Sequence, residues 1–132
     1  MVKKNIFLLS AFIIVVVDQL TKYLVKVLNI SYITNSGSLF GLFKGASSIL
    51  AWLSIVIIGL FLFNYDKIQK GDWKLKLGSG LVVGGAIGNL IDRILYQGVI
   101  DFINLRIWPS FNIADSALSV GIILLIIYFI KE

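Results

Sequence analysis

The sequence contains no cysteine and no histidine, and only 14% of its 132 residues are charged. Without cysteine there are no disulfides or thiol nucleophiles, and without histidine there are no imidazole bases or common zinc ligand sets. Hydrophobic residues make up 58% of the chain, and the mean hydropathy is +0.95. Any chemistry must therefore depend on carboxylates, hydroxyls, lysine or arginine, in a chain far more apolar than soluble domains are.

The apolar residues form long unbroken runs, which predict membrane-spanning helices rather than the core of a soluble domain. Each span takes about 20 residues, so four spans leave no room for a separate soluble domain. We predict an all-α integral membrane protein, a four-transmembrane-helix bundle that forms one domain over residues 1–132. The predicted spans lie at about residues 5–28, 46–63, 75–95 and 113–130.

The basic residues predict how the bundle is oriented. Seven of the twelve lie beyond the spans on one face, whereas the loops of the opposite face contain only Lys44 and Arg106. The positive-inside rule then places both termini in the cytoplasm. Because the basic residues are scattered and form no stripe, we do not predict nucleic-acid binding. The first apolar run is also similar to a signal peptide, but no small-x-small cleavage site follows it, so we expect it to remain as a span.

Carboxylates gather at the predicted outer face, where charges near hydrocarbon are costly and indicate function. Asp101 follows the third span, and Asp115 lies in the first turn of the fourth. Two carboxylates held close together cannot both ionise easily, so that one keeps a proton while the other can activate a water. This is the pairing that an aspartic protease needs.

Each of the two aspartates also has an ordinary interpretation. Asp115 could be a carboxylate at the positive end of a helix dipole, and Asp101 could be an interfacial loop aspartate. Asn112 precedes Asp115 by three residues, which would place both on one helical face and allow the amide to orient the carboxylate. This shared context favours the functional interpretation.

Glycines recur at every fourth residue of the third span. Gly80, Gly84 and Gly88 would form a smooth face on which another helix can approach closely, as in the small-xxx-small pattern. We predict that this stripe serves helix packing.

Further polar residues accompany these features. Asn89 and Arg93 share one face of the third span and Asp92 is adjacent, so the three could form a network that supports the aspartate pair, or could simply hold helices together. Asp18 and Lys22 have the spacing of an ion pair at the outer end of the first span. That pair could be no more than a helix-end salt bridge.

Five segments together resemble one family, the lipoprotein signal peptidases (signal peptidase II) of bacterial membranes. The resemblance covers almost the whole chain in order. The segments are Asp18-Gln19-Leu20-Thr21-Lys22, Asn35-Ser36-Gly37-Ser38-Leu39-Phe40, the stretch from Gly84 to Arg93, Val99-Ile100-Asp101-Phe102 and Phe111-Asn112-Ile113-Ala114-Asp115.

The resemblance implies that Asp101 and Asp115 form a catalytic dyad. It implies cleavage of diacylglyceryl-modified prolipoproteins just before the lipid-bearing cysteine, without metal or organic cofactor, at the extracytoplasmic face of the cell membrane. It implies four transmembrane helices with a small extracytoplasmic β-cradle and a short outer helix; we expect a monomer in contact with membrane lipid. The residues expected to line or support the site are Asp18, Lys22, Asn35, Gly37, Asn89, Arg93 and Asn112.

The sequence departs from the family pattern in three places. The stretch between Lys22 and Asn35 and the connection from Asp101 to Asp115 are shorter than usual, and Leu39 stands where the family has a small residue. We expect a reduced cradle and a narrower pocket. Two other functions stay open from the residues alone, an ion or proton pathway and a purely structural membrane subunit. The gathering of polar groups at one face, rather than along a path across the membrane, favours the protease.

Overall fold

The computed structural model describes residues 5–37 and 46–131. These residues form five helices and two short strands, namely α1 (Ile6–Val27), β1 (Ile33–Asn35), α2 (Ser47–Phe63), α3 (Tyr65–Lys70), α4 (Trp73–Tyr96), β2 (Val99–Asp101) and α5 (Ile113–Lys131). The four long helices occupy the segments that the sequence predicts as spans. Of these, α1 and α5 are each long and apolar enough to cross a membrane, and α2 is an apolar helix of 17 residues.

Helix α4 lies at the centre of the bundle and packs against α1, α2 and α5. Its glycines make this possible, because a methyl group at Gly84 would lie 2.7 Å from the Ala11 carbonyl oxygen of α1. On the opposite side, a methyl group at Gly85 would lie 2.6 Å from the Ala114 carbonyl oxygen of α5. The predicted packing role of the glycine stripe is therefore confirmed, and a second set of α4 glycines serves α5 in the same way.

The outward faces of the bundle are apolar. Phe12 of α1 is 66% exposed, Trp52 of α2 is 69% exposed and Phe129 of α5 is 65% exposed. Side chains of this size on the surface of three helices would be unfavourable in water and are favourable in lipid.

The short helix α3 was not predicted, since the segment between the second and third spans contains many lysines. It forms because Ile68 packs with Phe7, Ala11 and Val83 in a buried apolar cluster. The Asp72 side chain then begins α4 by accepting hydrogen bonds from the backbone N–H groups of the helix's first turn. The chain thus turns sharply between α2 and α4 at the end of the bundle opposite the strands.

The two strands pair antiparallel, with Ile33 opposite Asp101 and Asn35 opposite Val99. An isolated bridge between Ile103 and Phe111 extends this small sheet toward α5. This two-stranded sheet stands where the resemblance implies a β-cradle. Within residues 29–37 and 97–112 there is no helix, so the expected short outer helix is not found in the described parts of these connections.

Candidate active site

The two predicted carboxylates lie at one cavity. Asp101 ends β2 and is 2% exposed, and Asp115 lies in the first turn of α5 and is partly buried. Both line a cavity of about 470 Å³ at the strand end of the bundle. The structure therefore brings together the pair that the sequence predicts.

Asn112 connects the two carboxylates. Its side-chain Nδ2 donates to Asp101 Oδ1 at 2.9 Å, while its backbone N–H donates to Asp115 Oδ2 at 3.2 Å. In return, Asn112 Oδ1 accepts from the backbone N–H of Asp115 at 2.8 Å. This reciprocal arrangement is a capping box. The prediction that Asn112 and Asp115 share a helical face is wrong in detail, because Asn112 precedes α5 and caps it, yet it does orient the carboxylate.

Asn35 holds the other oxygen of Asp101. Its Nδ2 donates to Asp101 Oδ2 at 3.3 Å, across the small sheet, and its Oδ1 accepts from the backbone N–H of Gly37 at 2.9 Å. Gly37 is buried and lines the same cavity. The hydrogen bond from Gly37 therefore orients the Asn35 side-chain amide, and that amide orients the Asp101 carboxyl group.

Asn89 of α4 joins the aspartate pair to a second polar cluster. Its Nδ2 donates to Asp115 Oδ1 at 3.0 Å, and its Oδ1 accepts from Asn112 Nδ2 at 3.0 Å and from Lys22 Nζ at 3.3 Å. Asn89 is 3% exposed, so these contacts satisfy a buried amide. Asn89 therefore does more than hold helices together, since it donates a hydrogen bond directly to one of the two carboxylates.

The second cluster holds the backbone beside each carboxylate. Asp92 Oδ2 accepts from the backbone N–H of Ile100 at 3.0 Å, directly before Asp101 in β2. Asp18 Oδ1 accepts from the backbone N–H of Ala114 at 2.9 Å, directly before Asp115 in α5. Each member of the pair thus sits next to a peptide group that a buried aspartate anchors.

Lys22 bridges these two anchoring aspartates. Its Nζ lies 2.7 Å from Asp18 Oδ2 and 2.9 Å from Asp92 Oδ2, and all three side chains are almost fully buried. The predicted Asp18–Lys22 pair is confirmed, but it is not a simple salt bridge at a helix end. Gln19, which sequence reasoning missed, completes the cluster by donating to Asp18 Oδ2, to Asp92 Oδ1 and to the Gly88 carbonyl. The signal in the sequence that could have identified Gln19 is its position as a polar residue inside an apolar span.

Electrostatics at the cavity favours a proton on the pair. Burial and, to a smaller extent, the nearby negative charge of Asp115 together raise the pKa of Asp101 to about 7, against the opposing effects of the hydrogen bonds donated by Asn35 and Asn112 and of the positive charge of Lys22. A carboxyl of this kind holds its proton up to neutral pH.

Arg93 and the apolar wall of α2 complete the cavity. The Arg93 guanidinium interacts electrostatically with both Asp101 and Asp115, and its Nη1 lies 3.5 Å from Ser54 Oγ of α2. Helix α2 has no charged residue and contributes a full side of the cavity. Its lining residues are Leu50, Leu53, Ser54 and Ile57.

Two of the three predicted departures fall on described residues. The chain leaves α1 through Asn29, whose φ of 54° turns it directly into β1, and the connection after β2 closes through the bridge between Ile103 and Phe111. The first connection therefore begins with a turn, and the second is closed by a backbone bridge. Leu39 lies outside the described residues.

The whole fold is that of known membrane enzymes. Two solved structures, both described as bacterial membrane enzymes studied by the in meso method, are similar to this chain with TM-scores of 0.82 and 0.78 at 30% sequence identity. The first similarity covers 93% of this chain and 86% of the other, and the second covers 94% and 92%. The chain is a mostly helical protein with apolar helices and a two-stranded sheet, of the class of membrane enzymes.

Sequence comparisons identify the family. The Signal peptidase (SPase) II family matches residues 10–131. A lipoprotein signal peptidase of Halothermothrix orenii is 37% identical over 134 residues, covering 91% of this chain and 92% of the relative. Another from Shouchella clausii is 40% identical over 127 residues, covering 85% and 84%. The chain belongs to the Signal peptidase (SPase) II family, and the resemblance noted from its motifs is confirmed.

Proposed function

We propose that this protein is an aspartic endopeptidase that removes the signal peptide from diacylglyceryl-modified prolipoproteins, cleaving just before the lipid-modified cysteine. Family membership supports the reaction and its substrate. The observation that carries the aspartic mechanism is that Asn112 bonds to both Asp101 and Asp115 at one cavity. No metal or organic cofactor enters the proposed reaction.

In the proposed mechanism, Asp101 and Asp115 hold one water and share one proton. The ionised carboxylate accepts a proton from the water as it attacks the scissile carbonyl carbon, and the protonated carboxyl donates to the carbonyl oxygen. The pKa of about 7 for Asp101 supports a single shared proton at neutral pH. Collapse of the tetrahedral intermediate returns a proton to the leaving amine of the cysteine.

The surrounding polar residues have positioning roles in this proposal. Asn112, Asn35 and Asn89 donate to the two carboxylates and fix their separation. Arg93, which lines the cavity, binds a backbone carbonyl of the substrate as a charged donor. These fixed donors keep the carboxylates oriented before the substrate arrives, which lowers the reorganisation needed during reaction.

The apolar half of the cavity suits the lipid-modified end of the substrate. Leu118 and Ile122 of α5 face the apolar wall of α2 across the floor provided by α4. The acyl chains of the substrate then remain in lipid while the peptide bond reaches the carboxylates. Membrane lipid and the prolipoprotein are the proposed partners.

We further propose that α1, α2, α4 and α5 are four transmembrane spans of a single domain, residues 1–132. Lys67, Lys70, Lys74 and Lys76 gather at the end of the bundle that bears α3, which supports a cytoplasmic location for that end. Both termini then lie in the cytoplasm of a bacterial cell, with the carboxylates at the outer face of the cytoplasmic membrane. The protein would act there as a monomer.

A cleavage assay tests the proposed function. Purified protein is mixed with a diacylglyceryl-modified precursor, and the product is followed by gel shift. We expect wild-type protein to release the signal peptide and Asp101→Asn and Asp115→Asn to lose activity while remaining folded. Asp66→Asn, an exposed aspartate of α3, is the matched control and should keep full activity. Full activity in either dyad variant would overturn the mechanism, and an inactive wild type on several lipidated precursors would overturn the substrate.

A further inference from the structure

A second cavity lies at the end of the bundle opposite the carboxylates. It has a volume of about 430 Å³ and is bounded by the end of α2, by α3, by the first half of α4 and by the last half of α5. Its apolar wall consists of Leu60, Phe61, Ile68, Leu75, Leu125 and Phe129. The proposed peptidase reaction makes no use of this cavity.

A buried hydroxyl lines this apolar cavity. Ser79 of α4 has no exposed surface, and its Oγ has no hydrogen-bond partner within the described ranges 5–37 and 46–131. Buried polar groups are nearly always hydrogen-bonded, so an occupant that brings a polar atom to this depth would satisfy the Ser79 hydroxyl. Ser79 lies about 9 Å along the helix axis from the start of α4 at Trp73.

A cation lies at the same cavity. Lys67 of α3 lines the cavity and is exposed, and among the lining residues that the structure describes none is acidic. In the described part of the chain, the ion pairs are made by Lys22 and Lys74, and Lys67 takes part in none of them. Its stem can lie against apolar surface while its ammonium group reaches the headgroup region. The mouth of the cavity therefore favours an anionic group.

These three features describe one amphipathic ligand. The lining of the cavity combines a cation at Lys67, a buried hydroxyl at Ser79 and a mostly apolar wall. A phospholipid has three corresponding parts, an anionic phosphate, ester oxygens and an acyl chain. Basic pockets between transmembrane helices on the cytoplasmic side bind anionic headgroups. A free phosphate lacks the apolar part that most of this cavity would contact.

We propose that this cavity binds an anionic phospholipid, with its phosphate at Lys67, an ester oxygen at Ser79 and an acyl chain along α2 and α5. On the topology proposed above, the lipid comes from the inner leaflet. The site is separate from the carboxylate cavity, so it does not depend on the peptidase assignment. Anionic lipid then binds the folded bundle and stabilises it by linkage.

Thermal unfolding of the full-length protein in mixed micelles tests this inference. Phosphatidylglycerol should raise the unfolding midpoint more than the same amount of phosphatidylcholine with identical acyl chains. Lys67→Gln should lose most of that difference, and Lys67→Arg should keep it. Lys70→Gln is the matched control, because Lys70 is exposed on the same helix and does not line the cavity.

Ser79→Ala separates lipid binding from a structural role. Without added lipid, this variant should be at least as stable as wild type, because it removes an unpartnered buried hydroxyl. With phosphatidylglycerol it should gain less than wild type gains. Equal gains from both lipids, an unchanged gain in Lys67→Gln, or a full gain from inorganic phosphate would each overturn the proposal.

Discussion

Replacing Asp101 by asparagine should abolish cleavage and, at the same time, change how the stability of the protein depends on pH. The substitution removes a carboxyl whose pKa is raised to about 7 by burial and by the charge of Asp115. A raised carboxyl pKa means that the folded state holds a proton that the unfolded state releases. The stabilisation from this proton is fully present below the ordinary pKa of 3.8 and is lost as pH rises through 7.

The size of the effect follows from these two pKa values. Between pH 5 and pH 8, the folded protein should lose about 2.5 kcal/mol of unfolding free energy from this one group. The Asp101→Asn variant should not lose it. Asparagine has one side-chain oxygen where Asp101 accepts from both Asn35 and Asn112, so one donor loses its partner, at a cost of about 1 kcal/mol. That cost is the same at both pH values and cancels in the comparison.

Chemical unfolding in detergent micelles at pH 5 and pH 8 measures the difference. Wild type should weaken by about 2.5 kcal/mol more than Asp101→Asn over this interval. Asp66→Asn should behave as wild type does, since Asp66 is exposed on α3. If Asp101→Asn shows the same pH dependence as wild type, Asp101 does not hold a proton in the folded state, and the shared-proton mechanism is refuted.

Three further measurements probe the same site. Initial cleavage rates from pH 6 to pH 9 should fall by about tenfold per pH unit above the pKa of about 7 for Asp101, because the pair then loses its proton, and a flat profile would contradict this. Gly88→Ala should lower the unfolding free energy by about 1–3 kcal/mol, because its methyl group would lie 2.5 Å from Asp18 Oδ2. Gly59→Ala is the control and should be neutral or stabilising, because nothing lies within 4 Å of the added methyl group. Lys22→Met should lower the unfolding free energy by about 3–5 kcal/mol, because it leaves the buried carboxylates of Asp18 and Asp92 without their cation. A loss below about 1 kcal/mol would argue against the buried Lys22 bridge.

The long helices could be predicted from the sequence because lipid imposes a simple rule. Unbroken apolar runs of sufficient length must form helices, since no water is present to satisfy the backbone. The observed bounds of α1, α2, α4 and α5 therefore lie close to the predicted spans. The packing role of the glycine stripe could be predicted as well, because close approach of two helix backbones requires small residues at helical spacing.

Helix α3 could not be predicted in this way. Its sequence is short and rich in lysine, and its stability comes from Ile68, which packs against Phe7 of α1, far away in the sequence. No local pattern contains that contact. The same applies to the cavity wall formed by α2, whose uncharged sequence has three serines and does not show that one of them, Ser54, lies against Arg93.

At the site, the motifs predicted residues that the structure brings together, but not the contacts between them. Asn112 was expected to orient Asp115 along a helical face, whereas it does so as the cap of α5. Whether Asn112 lies on a helical face or caps the helix depends on where α5 begins, and sequence patterns determine helix ends less well than helix interiors. Asp18 was expected to pair with Lys22, which is local, but its bond to the backbone of Ala114 joins residues 96 positions apart.

The buried ion cluster explains how two carboxylates stay close without being pushed apart. Repulsion between Asp101 and Asp115 would separate β2 from the start of α5 unless the backbone at both places were held. Asp92 holds the peptide group before Asp101, Asp18 holds the one before Asp115, and Lys22 ties these two aspartates to each other. We propose that the cluster supplies the restraint that the proposed dyad requires, which gives the burial of three charges within the bundle a functional reason.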